Sequence, residues 1–172
     1  MKHKNSFKLY DIRLFRYNNL IIFLSSKGRV IVDTRLKKAL FQYQINSNSL
    51  ISKSIFPENK LESLINGLST LHYKKLNLVG IGFRAWIYFD KYKNCQVLSI
   101  KLGFSRDVLI FVPSNIIILC LRSTLILIKG IDKEEVSQIA RYIKLINASD
   151  SYKGKGVRYE NEMIHIKPGK QK

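Results

Sequence analysis

Near the end of this chain, Lys153 and Lys155 alternate with glycines and are followed by Arg158. Glycine lets backbone N–H groups approach a phosphate and permits positive φ. The lysines offer mobile charges to phosphate oxygens, and an arginine can hold one phosphate through two hydrogen bonds. Tyr152 and Tyr159 frame the segment and can stack on bases or riboses. The spacing predicts a contact with a nucleic-acid backbone, with a solvated turn as the alternative. It is not a nucleotide-binding P-loop, which needs an earlier glycine and a Ser or Thr after its lysine.

The other titratable side chains form no catalytic or metal-binding pattern. The three histidines have no Cys or acid at ligand spacing, so a satisfied or exposed ring is the better interpretation of each; they are His3, His72 and His165. Glu134 and Glu135 fall in the first turn of a predicted helix, where they interact favourably with its dipole. We therefore predict no catalytic residue, metal, cofactor or small-molecule substrate, and we do not expect an enzyme.

Three residue pairs have an ordinary structural interpretation beside a functional one. Glu160 and Glu162, which lie beside Arg158 and Lys167, are expected to form salt bridges rather than to act as a general acid and base. The two cysteines, far apart in sequence, are a disulfide or two buried reduced thiols; they are Cys95 and Cys120. Trp86 and Tyr88, which alternate with Ile87, indicate ordinary strand packing.

The charge of the chain indicates the class of partner. Thirty Lys and Arg stand against 12 acids among 172 residues, a net charge of +18. Such a field favours polyanions, nucleic acid first and anionic membrane second. The longest apolar run, residues 116–121, is far shorter than the roughly 20 residues of a spanning helix. We therefore expect no membrane insertion.

Hydrophobic periodicity indicates the elements that position these residues. Two β-rich runs flank the turn at residues 25–28, which is typical of a hairpin, and shorter β-type segments lie near 40–45 and 50–55. Pro57 stands where a helix can begin. The second half is richer in strands, expected at 76–80, 83–89, 97–104, 108–112, 116–121 and 125–128.

Two amphipathic helices repeat one apolar pattern. The first has its apolar face at Leu61, Leu64, Ile65, Leu68 and Leu71. The residues 75 positions later are Val136, Ile139, Ala140, Ile143 and Ile146, in a helix that follows Asp132. This register indicates an internal duplication, although any two amphipathic helices can be brought into phase.

We predict an α+β fold of two similar small domains, each a mainly antiparallel sheet packed with one helix. The N-terminal domain is expected at residues 1–74 and the C-terminal domain at 75–146. Residues 147–172 are expected to be a basic, RNA-binding extension of the C-terminal domain without a core-forming pattern. On that interpretation, both loop glycines serve the loop and not the core.

Four ordered motifs resemble the ribosomal large-subunit protein six family, of bacterial and organellar type. Ser149–Val157 (Ser-Asp-Ser-Tyr-Lys-Gly-Lys-Gly-Val) resembles its C-terminal signature, and Leu78–Ala85 its central strand. Lys101–Ser105 and Lys129–Lys133 resemble its Leu-Gly-Phe-Ser element and its pre-helix turn. The N-terminal half departs from the pattern, since Ser25 replaces an expected glycine. Residues 56–59 likewise replace the glycine-rich start of the family's first helix.

The resemblance implies a duplicated α+β fold and a structural role in translation. It implies binding to large-subunit ribosomal RNA near the factor-binding region and the sarcin–ricin loop, beside neighbouring large-subunit proteins, with the C-terminal domain as chief contact. A free-standing RNA-binding or ribosome-assembly protein is the alternative. The candidate RNA-binding residues are Tyr152, Lys153, Gly154, Lys155, Gly156, Arg158, Lys167, Lys170, Lys172, Arg84 and Arg106.

Codon composition indicates the origin of the chain. Ile, Lys and Asn, whose codons are A/T-rich, supply about a third of its residues. No import presequence is recognisable at the N-terminus. We therefore expect a mitochondrial ribosome, with a plastid or the cytoplasm of an A/T-rich bacterium as alternatives.

Overall fold

The computed structural model describes residues 5–8, 12–17, 20–33, 40–44, 49–53 and 58–169. These residues form an α+β fold with antiparallel sheets and two helices, as predicted. The first strands are β1 (Asn5–Lys8), β2 (Arg13–Tyr17), β3 (Leu20–Ser25), β4 (Gly28–Asp33), β5 (Leu40–Gln44) and β6 (Ser49–Lys53). Helix α1 (Glu58–Ser69) follows, then β7 (His72–Val79), β8 (Arg84–Asp90), β9 (Cys95–Lys101), β10 (Val108–Phe111), β11 (Ile116–Arg122) and β12 (Leu125–Gly130). The last elements are α2 (Lys133–Ile146) and β13 (Gly156–Tyr159).

The chain divides into two compact units. One holds residues 1–72 with 131–133, and the other holds 73–130 with 134–172. In the first unit the strand orders are β1-β6-β5 and β2-β3-β4, and in the second they are β10-β9-β8 and β11-β12-β7-β13. The proposed duplication and the domain boundaries drawn from the sequence stay predictions.

The first unit is built around the predicted hairpin. Strands β3 and β4 pair in register from Leu20↔Asp33 to Ser25↔Gly28. The alternation of strand β3 buries Ile21 and Phe23, which pack with Ile65 and Leu68 of α1. Strands β1 and β2 lie before the first element expected from the sequence, because their short, charge-interrupted runs carry no clear periodicity. The side chains of Glu58, Asn59 and Leu61, at the start of α1, lie outside the described residues.

The core of the second unit lies between its two sheets and α2. Ala85, Leu98 and Ile100 of the three-stranded sheet join Ile118 and Ile126 of the four-stranded sheet in one buried cluster. Helix α2 contributes the predicted face, with Val136, Ala140 and Ile143 buried and Ile139 and Ile146 partly buried. All six strands expected from residues 76–128 are present, though several bounds shift by a few residues.

The helices match their sequence signals except at one end. Glu134 and Glu135 occupy the first turn of α2, as predicted. Helix α1 ends at Ser69, so Leu71 lies beyond the helix to which its spacing assigned it. Within the described parts of the chain, neither helix is long and apolar enough to cross a membrane.

The expectation that core-forming structure stops at Asn147 is wrong for strand β13. Residues 156–159 pair with β7 in antiparallel register, from Gly156↔Val79 to Tyr159↔Leu76. Val157 is fully buried in the core cluster, and its N–H donates to the carbonyl of Asn147. A four-residue strand with one fully buried side chain is too short for periodicity to reveal it.

Candidate nucleic-acid interface

The lysine-bearing loop is a compact turn organised by Asp150. Its carboxylate accepts hydrogen bonds from the backbone N–H groups of Tyr152 (3.1 Å) and Lys153 (3.3 Å). The backbone N–H of Gly154 donates to the Asp150 carbonyl (2.9 Å), and that of Asp150 donates to the Lys155 carbonyl (2.8 Å). The acid therefore holds the backbone of the loop and leaves the lysine side chains to other partners.

The two glycines of the loop play different parts. Gly154 has φ +66°, and no atom outside its two chain neighbours lies within 4 Å of where a Cβ would stand. Gly156 has φ +137°, and a Cβ there would lie 2.6 Å from Ser149 Cα and 2.8 Å from the Ala148 carbonyl oxygen. Gly154 thus permits the turn, whereas Gly156 permits close packing of two backbone segments. The expectation that both serve only the loop is wrong for Gly156.

The cations of the loop are exposed. Lys153 and Lys155 are both exposed, as is Tyr152, and neither lysine has an ion-pair partner among the described residues. Lys167 is also exposed, and its backbone N–H donates to the Ser151 carbonyl (2.9 Å). The structure therefore brings the C-terminal segment to the loop, as a common basic surface requires. Two further candidates, Lys170 and Lys172, lie outside the described residues.

Strand β13 carries the other predicted residues. Arg158 is half-buried and lies opposite Asn77 of β7. Tyr159 is packed against the core, and the Nζ atoms of Lys144 and Lys74 lie 4.9 Å and 5.6 Å from its ring centroid. Its ring therefore has neighbours within the fold, so Tyr152 is the better candidate of the framing pair for stacking.

The acids next to this strand form salt bridges, as predicted. Glu160 pairs with Lys75 at 3.0 Å and Glu162 with Lys144 at 2.5 Å. The hydrogen bond from Lys144 lowers the pKa of Glu162, helped by the Tyr159 N–H and by the charge of Arg158 and opposed by partial burial. These cations come from β7 and α2, so their pairing follows from the tertiary fold and not from sequence proximity.

Two candidate arginines belong to the three-stranded sheet and its connections, not to the sheet that holds β13. Arg84 begins β8, where its Cα pairs with that of Lys101, and Arg106 lies in the connection from β9 to β10. Both side chains are exposed. Neither of them lies on β13 or on the sheet that β13 joins.

Sequence reasoning missed the role of Asp150. The signal was present, since an Asp at the start of a turn commonly accepts the backbone N–H of the residue two positions later. The clustering of Lys74 and Lys144 around Tyr159 had no such signal, because it depends on how β7, α2 and β13 pack.

The described residues contain no group of three or more His, Cys, Asp or Glu side chains placed to hold a metal ion. Cys95 and Cys120 are free and half-buried, so of the two interpretations the structure shows thiols and not a disulfide. Burial raises the pKa of the Cys120 thiol, which keeps it protonated at neutral pH.

Comparison with known proteins agrees with the sequence motifs. A family model for "Ribosomal protein L6" matches residues 91–160. The chain is 32% identical over 171 residues to the large ribosomal subunit protein uL6 of Buchnera aphidicola, covering 94% of this chain and 93% of that protein. It is 30% identical over 164 residues to uL6 of Mycoplasma capricolum, covering 89% and 86%.

A mitochondrial relative matches a shorter segment. The chain is 40% identical over 112 residues to the large ribosomal subunit protein uL6m of Reclinomonas americana, and the match covers 65% of this chain and 57% of that protein. Because the Buchnera relative is matched along nearly its whole length, the chain belongs to the ribosomal protein L6 family.

Proposed function

We propose that this protein is a structural constituent of the large ribosomal subunit and that it binds large-subunit ribosomal RNA. Its relatives are named as large ribosomal subunit proteins. The family is one of ribosomal proteins and not of enzymes. The net charge of +18 supports the same class of partner, because phosphate neutralisation dominates nucleic-acid affinity.

The observation that carries the proposal is the loop from Asp150 to Lys155. Its backbone is held by three hydrogen bonds that Asp150 accepts and one that it donates, while Lys153 and Lys155 project without partners among the described residues. A turn that is already ordered loses little backbone freedom when it binds, so its cations meet phosphates at low entropic cost. A solvated turn needs the glycine and the aspartate but has no need of two free lysines.

The remaining basic residues extend this surface. Lys167 is tied to the loop through Ser151, and Arg158 lies one strand position beyond Val157 on β13. We propose that the contact runs from Tyr152 through Arg158 and along the C-terminal segment to Lys170 and Lys172. Arg84 and Arg106 form a separate contact on the three-stranded sheet. The contacts fix RNA segments in position and carry no base specificity.

Within the subunit, we place the C-terminal unit as the chief RNA contact, near the factor-binding region and the sarcin–ricin loop. The family membership and the density of family motifs at residues 149–157 support this placement. Neighbouring large-subunit proteins are its expected protein contacts.

We assign the protein to a mitochondrial ribosome. The A/T-rich codon bias and the 40% identity to a mitochondrial uL6m support this assignment, while the bacterial relatives keep a plastid or an A/T-rich bacterium as alternatives. Organelle fractionation followed by immunoblotting tests it. A signal confined to plastids or to a bacterial cytoplasm would reassign the protein.

The test of function is retention on purified large subunits. Epitope-tagged full-length protein is expressed in its own organism, and subunits are separated on a gradient after a high-salt wash. We expect the tag to co-sediment with mature large subunits at a constant ratio to their RNA. Recovery only in free fractions, or only in precursor particles, would favour the free-standing or assembly-factor alternative.

A further inference from the structure

The three-stranded sheet of the second unit has one face in the core and one face outside it. Ala85, Leu98 and Ile110 belong to the buried cluster, and strand alternation turns their neighbours the other way. Strand register arranges these outward residues, here called the outer face, in three rows. The rows are Arg84–Lys101, Trp86–Ser99–Leu109 and Tyr88–Val97–Phe111.

The outer face is an apolar patch whose side chains are exposed on the two outer strands and buried on the central strand. Trp86 and Tyr88 are 40% and 42% exposed, and Leu109 and Phe111 are 52% and 50% exposed. Between them, Val97 and Ser99 of the central strand are buried. Trp86 and Tyr88 pair across the sheet with Ser99 and Val97, yet both rings remain partly exposed. Contiguous apolar side chains of this kind mark an interaction surface.

Cations border this patch at both ends. Arg84 and Lys101 lie directly opposite each other, an arrangement that repels unless an anion sits between them. In the part of the chain that the structure describes, neither has an ion-pair partner. At the other end, the Lys93 Nζ lies 3.9 Å from the Phe111 ring centroid.

Acids are outnumbered in this segment. Between residues 84 and 111 the cations are Arg84, Lys91, Lys93, Lys101 and Arg106, and the acids are Asp90 and Asp107. The Asp90 carboxylate accepts the Tyr92 N–H at 2.9 Å, so it serves the turn between β8 and β9. The local charge complements a polyanion and disfavours a second copy of this basic chain.

We propose that the outer face binds single-stranded RNA, with bases stacked on Trp86 and Tyr88 and a phosphate held between Arg84 and Lys101. The inference rests on the proposed function, since it adds a second RNA contact to the loop. Alternate residues of a strand stand roughly 6.6 Å apart, so Arg84, Trp86 and Tyr88 present a cation and two rings in succession along β8. Unpaired bases bind to exposed rings in this way, largely regardless of sequence.

RNA fits this face better than an apolar protein surface does. A stacked base requires a flat ring, and its phosphate requires a cation nearby; β8 supplies both within five residues, Arg84 to Tyr88. An apolar protein surface would use Leu109 and Phe111 but would leave the opposed pair of Arg84 and Lys101 unexplained. The protein alternative is therefore kept as an outcome of the test.

The single tryptophan of the chain makes the test direct. Trp86 is the sole Trp in the sequence, so its emission reports on the outer face alone. The full-length protein is titrated with octa-adenylate, with its binding followed in parallel by anisotropy of a labelled copy. We expect saturable quenching of Trp86 emission by octa-adenylate. Polyphosphate of equal charge should bind without that quenching, because it has no bases to stack.

Matched variants separate stacking from charge. Tyr88→Leu keeps the Trp86 reporter and should weaken octa-adenylate binding about tenfold, the scale of one lost base–ring stack. Tyr142→Leu removes an exposed ring on α2 and should leave binding unchanged. Replacing Arg84 and Lys101 by Ala should weaken binding by a factor that shrinks as salt rises.

Two results of the titrations with octa-adenylate and polyphosphate would overturn the inference. One is octa-adenylate binding without a change in Trp86 emission, and the other is equal quenching by polyphosphate. A shift of Trp86 emission by an acidic, leucine-rich peptide but not by octa-adenylate would also overturn it and assign the face to a protein. If Trp86 does not respond while the protein still enters large subunits, only this inference fails. If quenching persists but the protein is absent from large subunits, the proposed function fails instead.

Discussion

The loop that ends at Lys155 and the strand that begins at Gly156 adjoin in sequence, yet they do different work. The loop contributes exposed cations and no core side chain, and its order comes from hydrogen bonds to Asp150. Strand β13 contributes the fully buried Val157 and pairs with β7 along its whole length. A single family motif therefore spans a binding element and a folding element.

The glycine of the loop and the glycine of the strand have different structural roles. Gly154 and Gly156 both have positive φ, but only Gly156 stands against the backbone of another segment. A substitution at Gly154 strains the turn locally, whereas one at Gly156 must push apart residues 148–149 and β13. Motif matching treats the two positions alike, and only tertiary structure distinguishes them.

The largest difference in stability is expected between an aspartate placed in strand β13 and one placed in the loop. Val157→Asp should abolish cooperative unfolding, because it buries an unpaired carboxylate in the core of the second unit. Lys155→Asp introduces the same side chain two residues earlier, at an exposed position, and should leave the melting transition nearly unchanged. Circular dichroism melts of the two full-length variants check this. Equal destabilisation would mean that the loop and the strand are not distinct.

Alanine substitutions at Gly154 and Gly156 should differ by a smaller amount in the free energy of unfolding. Gly156→Ala combines backbone strain with contacts under 3 Å and should lower the free energy of unfolding by about 3 kcal/mol. Gly154→Ala meets strain alone and should lower it by about 1 kcal/mol. Urea titrations of both variants measure the difference. Similar values for the two would contradict the close packing assigned to Gly156.

Removing the loop charges should affect binding and not folding. The double variant Lys153→Ala with Lys155→Ala should reduce the log–log salt slope of large-subunit RNA binding by about 1.4 to 1.8, since each phosphate contact contributes roughly 0.7 to 0.9. A double variant at the exposed Lys91 and Lys133 loses the same net charge elsewhere and should change the slope less. Filter binding over a salt series supplies both slopes, and equal slopes for the two variants would show that the loop holds no special position.

The smallest effect is the pH-dependent contribution of Glu162, which follows β13, to stability. Because the folded state lowers the pKa of Glu162, its contribution to stability is present above the ordinary carboxyl pKa and is lost as pH falls through the folded value. Glu162→Gln should therefore destabilise the protein slightly at neutral pH and not at all in strong acid. Melting temperatures of both proteins across an acid pH series test this. A difference that grows toward low pH would have the wrong sign.

Much of the second unit could be predicted from the sequence. Its strands are long and rich in branched apolar residues, and α2 has a regular apolar face, so periodicity located them. The pairing of Glu160 and Glu162 with cations was also predicted, but Lys75 and Lys144 were not identified, because they come from distant elements. Strand β13 escaped because four residues containing a glycine and an arginine carry no period.

Some residues of the candidate site could likewise be predicted from the sequence, and others could not. Lys153, Lys155 and Arg158 could be chosen from residue type and spacing alone, since phosphate chemistry depends on those features. The roles of Asp150 and Gly156 could not, because each depends on which backbone atoms lie nearby. Likewise, the partial exposure of Trp86 and Tyr88 depends on which face of the sheet the core covers.

The central claim is that the loop lies on RNA in the assembled subunit, and cross-linking tests it most directly. A benzophenone side chain at Tyr152, which is 58% exposed and precedes Lys153 in the loop, is irradiated in high-salt-washed large subunits. A second probe at Tyr142 on α2, 59% exposed, serves as the matched position. The account predicts a covalent adduct between the Tyr152 probe and large-subunit ribosomal RNA, stronger than any from the Tyr142 probe. Adducts from Tyr152 to protein alone, or none at all in subunits that contain the probe, would contradict it.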